Sequence, residues 1–253
     1  MKLKDKPYTN VLIAGLLTAL LMVSLSFLHK ILGGISGTGS THRLVTLFGG
    51  NFFNGGYIQG LTFFSFIWAI LEIYSQTKSL FKENQAFKLK LLPTNEKHLL
   101  MAEDLKSLQQ KISEIEKRKN RTLISSLIKN VCLKFRSTKS IPEILEIISI
   151  QTDINRDKAE SDQSLIRYLT WTIPSIGFIG TVLGISKALS IAGSGDMKLI
   201  TDTLGVAFDT TLVSLVLSII VMYFFHYLQE KTDKLHANIK EYIIENLVNK
   251  IEV

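Results

Sequence analysis

Asp209, Thr210, Thr211, Ser214 and Ser218 form a polar series inside the otherwise apolar stretch 203–225. Thr211, Ser214 and Ser218 recur at steps of three and four, so on a helix they share one face. A helix bordered only by lipid needs no such stripe, whereas one bordering a partly hydrated path does. Asp209 is expected about two turns inside the end of that stretch. An acid at such depth costs about 2.5–3.5 kcal/mol on insertion scales, so it calls for a partner, a proton or water. Two roles stay open for it. It handles an ion, or it is structural, snorkelling toward headgroups or binding Lys187 or Lys198.

The preceding apolar stretch carries a different chemistry. Gly177, Gly180 and Gly184 are spaced by three and four, which leaves one helix face without side chains and lets another backbone approach closely. Pro174 removes a backbone hydrogen bond and can kink this helix. Thr181 shares the glycine side, and by itself a membrane threonine usually bonds back to its own helix. No metal site is expected. The five histidines (29, 42, 98, 226, 236) are scattered, and no nucleophile–base pattern occurs. Cys132 is the single cysteine, which excludes an intrachain disulfide and a thiolate zinc knuckle.

These residues must be positioned by membrane helices. The 253-residue chain is 46% hydrophobic yet 20% charged, with mean hydropathy +0.24. Such a mixture implies greasy segments alternating with polar ones. Val11 to Leu28 is uncharged and about 27 Å long as a helix, and Ile31-Leu32 extend it across a hydrocarbon core of about 30 Å. Lys2, Lys4 and Lys6 precede it, but the run is too long for a signal core. It ends in His29-Lys30 and not in a small-residue cleavage site, so it reads as a first span. Further spans are expected at about 57–75, 168–192 and 203–225, with Gly- and Ser-rich loop chemistry over 33–56. The expected fold class is an all-α membrane protein with four transmembrane helices. Its domains are a hairpin 1–75, a helical cytoplasmic domain 76–167, a second hairpin 168–228 and an amphipathic C-terminal helix 229–253.

Charge orients the spans. Residues 76–167 hold eighteen Lys and Arg, whereas the loops 33–56 and 193–202 hold only Arg43 and Lys198. With Lys78, Lys82, Arg156 and Arg167 flanking the spans, the connector and both termini are expected on the cytoplasmic side. The net charge of +7 and pI near 9.3 follow from that bias. No basic–aromatic interleaving points to nucleic acid. In the connector, Leu99, Leu105, Leu108, Ile112 and Ile115 mark one helix face. A second helix begins at Ser140 as N-cap, with Pro142 and Glu143 in its first turn and Ile144, Ile147, Ile148 and Ile154 along one side. In the tail, Leu235, Ile239, Ile243, Leu247 and Ile251 repeat the pattern, expected to pack on connector helices of the same or an adjacent subunit.

Two segments resemble a known family. Residues 176–185, IGFIGTVLGI, are similar to the GLLGTVxGI signature of the MotA/TolQ/ExbB proton channel family, and 207–215, AFDTTLVSL, to its ALxTTxxGL signature. They come in the family's order, on consecutive spans ahead of a helical tail, and cover about 60 residues. The four-span layout is that of the MotA branch. The resemblance implies a homopentamer around a MotB/TolR/ExbD-like partner dimer, each partner having one membrane helix with an acidic residue. It implies a bacterial inner-membrane protein in the lipid bilayer, with no cofactor, whose third and fourth spans line an ion path. Thr181, Thr210 and Thr211 are then the path residues, to which the polar series adds Ser214 and Asp209, with Pro174, Gly177, Gly180 and Gly184 serving packing and kink. Ions reaching the partner's acid drive rotation. Protons are the expected ion, with sodium the alternative on the strength of the Thr210-Thr211 pair. Ser214 stands where the family usually has Gly, and Asp209 where it has a small or apolar residue. The ARxEG stretch of flagellar stators has no counterpart here, although Arg156, Asp157, Lys158 and Glu160 are charged. The implied machine is therefore non-flagellar: envelope energisation, gliding, secretion or phage defence. The competing reading is a non-conducting four-span scaffold or assembly protein; an enzyme is not expected.

Overall fold

The structure is a computed structural model and describes residues 7–32, 39–89, 91–92, 101–118 and 121–251. Lys2, Lys4, Lys6, His98, Leu99 and 33–38 of the expected loop lie outside the described residues. The elements are α1 (Pro7–Ile31), α2 (Ser40–Leu47), α3 (Gly56–Gln85), α4 (Ala102–Arg118), α5 (Leu123–Thr138), α6 (Ile141–Asp162), α7 (Ser164–Ile191) and α8 (Met197–Asn246). Among the described residues there is no strand. The stretches Tyr8–Ile31, Gly56–Gln85, Ile141–Ser194 and Met197–Lys250 are long and apolar enough to cross a membrane. The protein is thus an all-α membrane protein with four such helices. α3 and α8 run well beyond the expected spans 57–75 and 203–225. At 50 residues, α8 is more than twice the roughly 20 that a crossing needs.

Two compact units form, Asp5–Tyr74 with Leu165–His226 and Ser75–Ser164 with Tyr227–Val253. In the first, α1 shows why a lipid-facing helix folds as it does. Ala14, Thr18, Met22 and His29 are buried along one side, and Leu12, Leu16, Leu20, Val23 and Phe27 are exposed along another. Apolar side chains are at home in hydrocarbon, and a helix can carry them there because its backbone bonds are made internally along the span. Met22 packs with Phe63 of α3 and Val213 of α8. Asn10 donates to the Glu72 carboxylate at 2.9 Å, a polar link between α1 and α3 absent from the sequence expectations.

The expected loop 33–56 is only partly a loop, because 40–47 form α2. Its Val45 is buried, the His42 and His29 rings lie 4.9 Å apart, and Gln59 of α3 donates to the Leu47 carbonyl. The turn that follows uses Gly49 at φ 91° and Gly55 at φ 111°, left-handed backbone that side chains disfavour.

In the second unit, Leu105, Leu108 and Ile112 of α4, Ile144 and Ile148 of α6, and Leu235, Ile239, Ile243, Leu247 and Ile251 of the tail share one core. The tail therefore covers connector helices of its own chain. Ile115 and Ile147 pack at the edge, but Ile154 is 43% exposed and leaves the face expected for it. α5, unanticipated, contributes Ile124, Leu127, Ile128, Val131, Cys132 and Phe135. Its N-cap Thr122 forms a reciprocal capping box with Ser125. Ser140 is the N-cap of α6 with Pro142 in the first turn, though its side chain makes no capping bond. α6 and α8 are further joined by Gln163 Nε2 donating to Thr232 Oγ1 at 3.0 Å and by the Arg156–Asp233 pair at 3.4 Å.

Candidate functional site

The glycine face of α7 lies directly on the polar face of α8. A Cβ added at Gly177 would stand 2.6 Å from Ser214 Cβ, one at Gly180 2.9 Å from Thr210 Cβ, and one at Gly184 3.1 Å from Ala207 Cα. All three are far inside ordinary contact, so the helices approach to a distance only glycine permits. Pro174 sits within the same helix, its ring half-buried.

That approach brings side chains on one helix to carbonyls on the other. Thr211 Oγ1 donates to the Gly177 carbonyl at 2.9 Å, and Thr181 Oγ1 donates across to the Ala207 carbonyl at 3.1 Å. The Thr181 and Thr211 hydroxyls also lie within bonding distance of each other, so one of them exchanges its carbonyl bond for this one when it donates to the other. Thr210 Oγ1 donates to the Ala207 carbonyl at 2.7 Å and reaches the Gly177 carbonyl at 3.4 Å. Ser214 and Ser218 bond back within α8, to Thr211 at 2.9 Å and Leu215 at 3.1 Å. Thr210, Ser214 and Ser218 are buried, and Thr181 and Thr211 are half-buried, so the cluster meets the surface at that hydroxyl pair. Interhelical hydrogen bonds in membranes average about 0.6 kcal/mol each. They are weak enough to rearrange, and the glycine contacts hold the hairpin.

Asp209 has a partner outside the expected ones. Its partner is neither Lys187 nor Lys198 but Arg43, on α2. Arg43 Nη2 donates to Oδ1 at 2.7 Å, and Nη1 donates to Oδ2. The Asp209 side chain is only 5% exposed, against 55% for Arg43. Asp209's hydrogen bonds raise the Arg43 pKa above its already high ordinary value, outweighing partial burial, and Asp202 adds negative charge nearby. Arg43 was legible only as the sole cation of its loop, opposite in sign to the fourth span's acid. Sequence proximity pointed to the lysines of Asp209's own hairpin.

Among the described residues, no group of three or more His, Cys, Asp or Glu is placed to hold a metal ion. Residues 105–241 match the model of the MotA/TolQ/ExbB proton channel family. The chain belongs to the MotA/TolQ/ExbB proton channel family. This is a channel family and not an enzyme family. The match runs from α4 into the tail half of α8 and takes in both signature segments, 176–185 and 207–215. It leaves out α1, α2 and α3, and with them Arg43. Comparisons with curated proteins and with solved structures find no match.

Proposed function

We propose that this member of the MotA/TolQ/ExbB family is the channel subunit of a non-flagellar stator. Five copies surround a dimer of a single-span MotB/TolR/ExbD-like partner bearing a membrane Asp. Ion-motive force, protonic or alternatively sodium-based, becomes rotation for envelope energisation, gliding, secretion or phage defence. The setting is the bacterial inner membrane, with the connector and both ends cytoplasmic, a placement supported by the eighteen cations of 76–167.

One observation carries the ion-path reading. The Thr181–Thr211 hydroxyl pair joins the two signature segments and is the half-open edge of an otherwise buried polar cluster. Hydroxyls and carbonyls at such an edge can exchange hydrogen bonds with water or a passing cation at little cost. Thr210 and Ser214 extend the polar face behind it.

A second reading, a non-conducting scaffold, draws on the bonding of every hydroxyl in this cluster within its own hairpin. The experiment separates the two. The full chain is co-expressed with a neighbouring single-span protein, stoichiometry is read by native mass spectrometry, and proton and sodium flux are measured in membrane vesicles. Thr211→Ala and Thr181→Ala should each cut flux at least about tenfold, a barrier change of roughly 1.4 kcal/mol, with assembly unchanged. Assembled wild-type protein that passes neither ion would leave the scaffold standing, whereas variants that both conduct normally would remove the hydroxyl pair from the path.

A further inference from the structure

Arg43 and Asp209 are 166 positions apart, yet the guanidinium fork meets both carboxylate oxygens. A bidentate pair fixes direction as well as distance. On the α8 side, Asp209 directly precedes Thr210 and Thr211, and Ala207, two residues earlier, supplies the carbonyl that Thr181 and Thr210 share. On the α2 side, Arg43 is carried by a helix that is itself held down. Val45 is buried, Gly50 N–H donates to the Val45 carbonyl at 2.8 Å, and Gln59 of α3 bonds the Leu47 carbonyl. The pair thus ties the hydroxyl-bearing turn of α8 to the first hairpin, the part of the chain outside the family match.

A carboxylate engaged on both oxygens cannot take up a passing cation without releasing the guanidinium. With its side chain 5% exposed, it also has little water to replace that partner. We infer that Arg43 is a positioning residue for the ion path, clamping α8 so that Thr210 and Thr211 meet α7, and that Asp209 is its fixed counter-charge rather than an acid that loads and releases ions. The inference rests on the ion-path reading of the hydroxyl cluster.

The test uses the full chain co-expressed with its single-span partner, in the same vesicles. Arg43→Gln and Asp209→Asn should each lower flux about tenfold, whereas the double variant should return to within about threefold of wild type. Each single variant leaves one charge of the pair unneutralised, whereas glutamine and asparagine form a neutral N–H···O pair, so the double variant restores charge balance and a tether but not an ion-loading carboxylate. Native mass spectrometry should show unchanged assembly. If a single variant does not assemble, Arg43→Lys takes its place: it keeps the charge, loses the fork, and should lower flux several-fold.

The inference is overturned if the double variant is as inactive as Asp209→Asn alone, since Asp209 would then carry ions. Wild-type flux in Arg43→Gln, or in Arg43→Lys where it stands in, also overturns it. Thr211→Ala in parallel reports on the ion path by itself. Normal conduction there removes the path reading and this inference with it. Thermal melting of the two single variants and the double variant would in that case still show whether the pair couples the helices.

Discussion

A methyl group at Gly177 would stand 2.6 Å from Ser214 Cβ and 3.1 Å from the Thr210 carbonyl oxygen. Of these neighbours, the serine side chain can be removed and the backbone cannot. Gly177→Ala should therefore destabilise the α7–α8 hairpin by about 1–3 kcal/mol, the usual cost of overpacking. Adding Ser214→Gly should recover most of that loss, because the remaining carbonyl contact needs only a few tenths of an ångström. Melting temperatures of the full chain in nanodiscs would check both, and a double variant no better than the single would mean that backbone separation sets the cost. The glycine stripe and the polar stripe were legible at this scale because each follows from helical spacing within one segment. The Arg43–Asp209 contact was not, because a pairing between segments leaves no period in the sequence. Removing Arg43 alone leaves Asp209 unpartnered at 5% exposure, so it should approach the roughly 3–5 kcal/mol of breaking a buried pair.

Periodicity recovers an element well when its apolar face is long, as for α1, α4 and the tail of α8. It serves α2 poorly. Ser40–Leu47 is eight residues long, its Thr, His and Val are modest helix formers, and its N-cap Gly39 offers no side-chain bond. Contacts to α1, α3 and α8 hold that helix, and these are tertiary facts. α5 is the opposite case. Ile124, Leu127, Ile128, Val131, Cys132 and Phe135 have clean three- and four-residue spacing, a period from which this helix is legible. Its packing makes Cys132 a reporter. Burial pushes the thiol pKa up to about 12, against smaller opposite effects of its backbone hydrogen bond and Arg136. A raised pKa keeps the thiol neutral, and alkylation requires the thiolate. At pH 8 about one molecule in ten thousand would carry it, against roughly a quarter for a free cysteine. Maleimide or iodoacetamide should therefore modify native Cys132 at least about a hundredfold more slowly than the denatured chain. Mass spectrometry over time checks this, and rapid native labelling would mean that α5 does not pack as described.

At the scale of the whole molecule, one unit is assembled from the middle of the chain and its end. The family match stops at 241, whereas the shared core continues through Ile243, Leu247, Val248 and Ile251. Truncation after Gln229 would remove Leu235, Ile239, Ile243, Leu247 and Ile251, all buried. Burying one such side chain contributes about 1.5–3 kcal/mol, so five contribute roughly 7–15 kcal/mol. That equals the entire net stability of an ordinary domain, about 5–15 kcal/mol. The truncated chain should therefore lose the fold of this unit and not merely fray at its end. Its Cys132 should label as fast as in denaturant, and limited trypsin digestion should cut throughout 101–139. Ile243→Ala removes one side chain and costs about 2–5 kcal/mol, so it should leave the unit folded with faster but still protected labelling. The ordering wild type, Ile243→Ala, truncation separates a cooperative core from a loosely attached tail. A tail that only rests on a self-sufficient connector would leave Cys132 equally protected in all three chains.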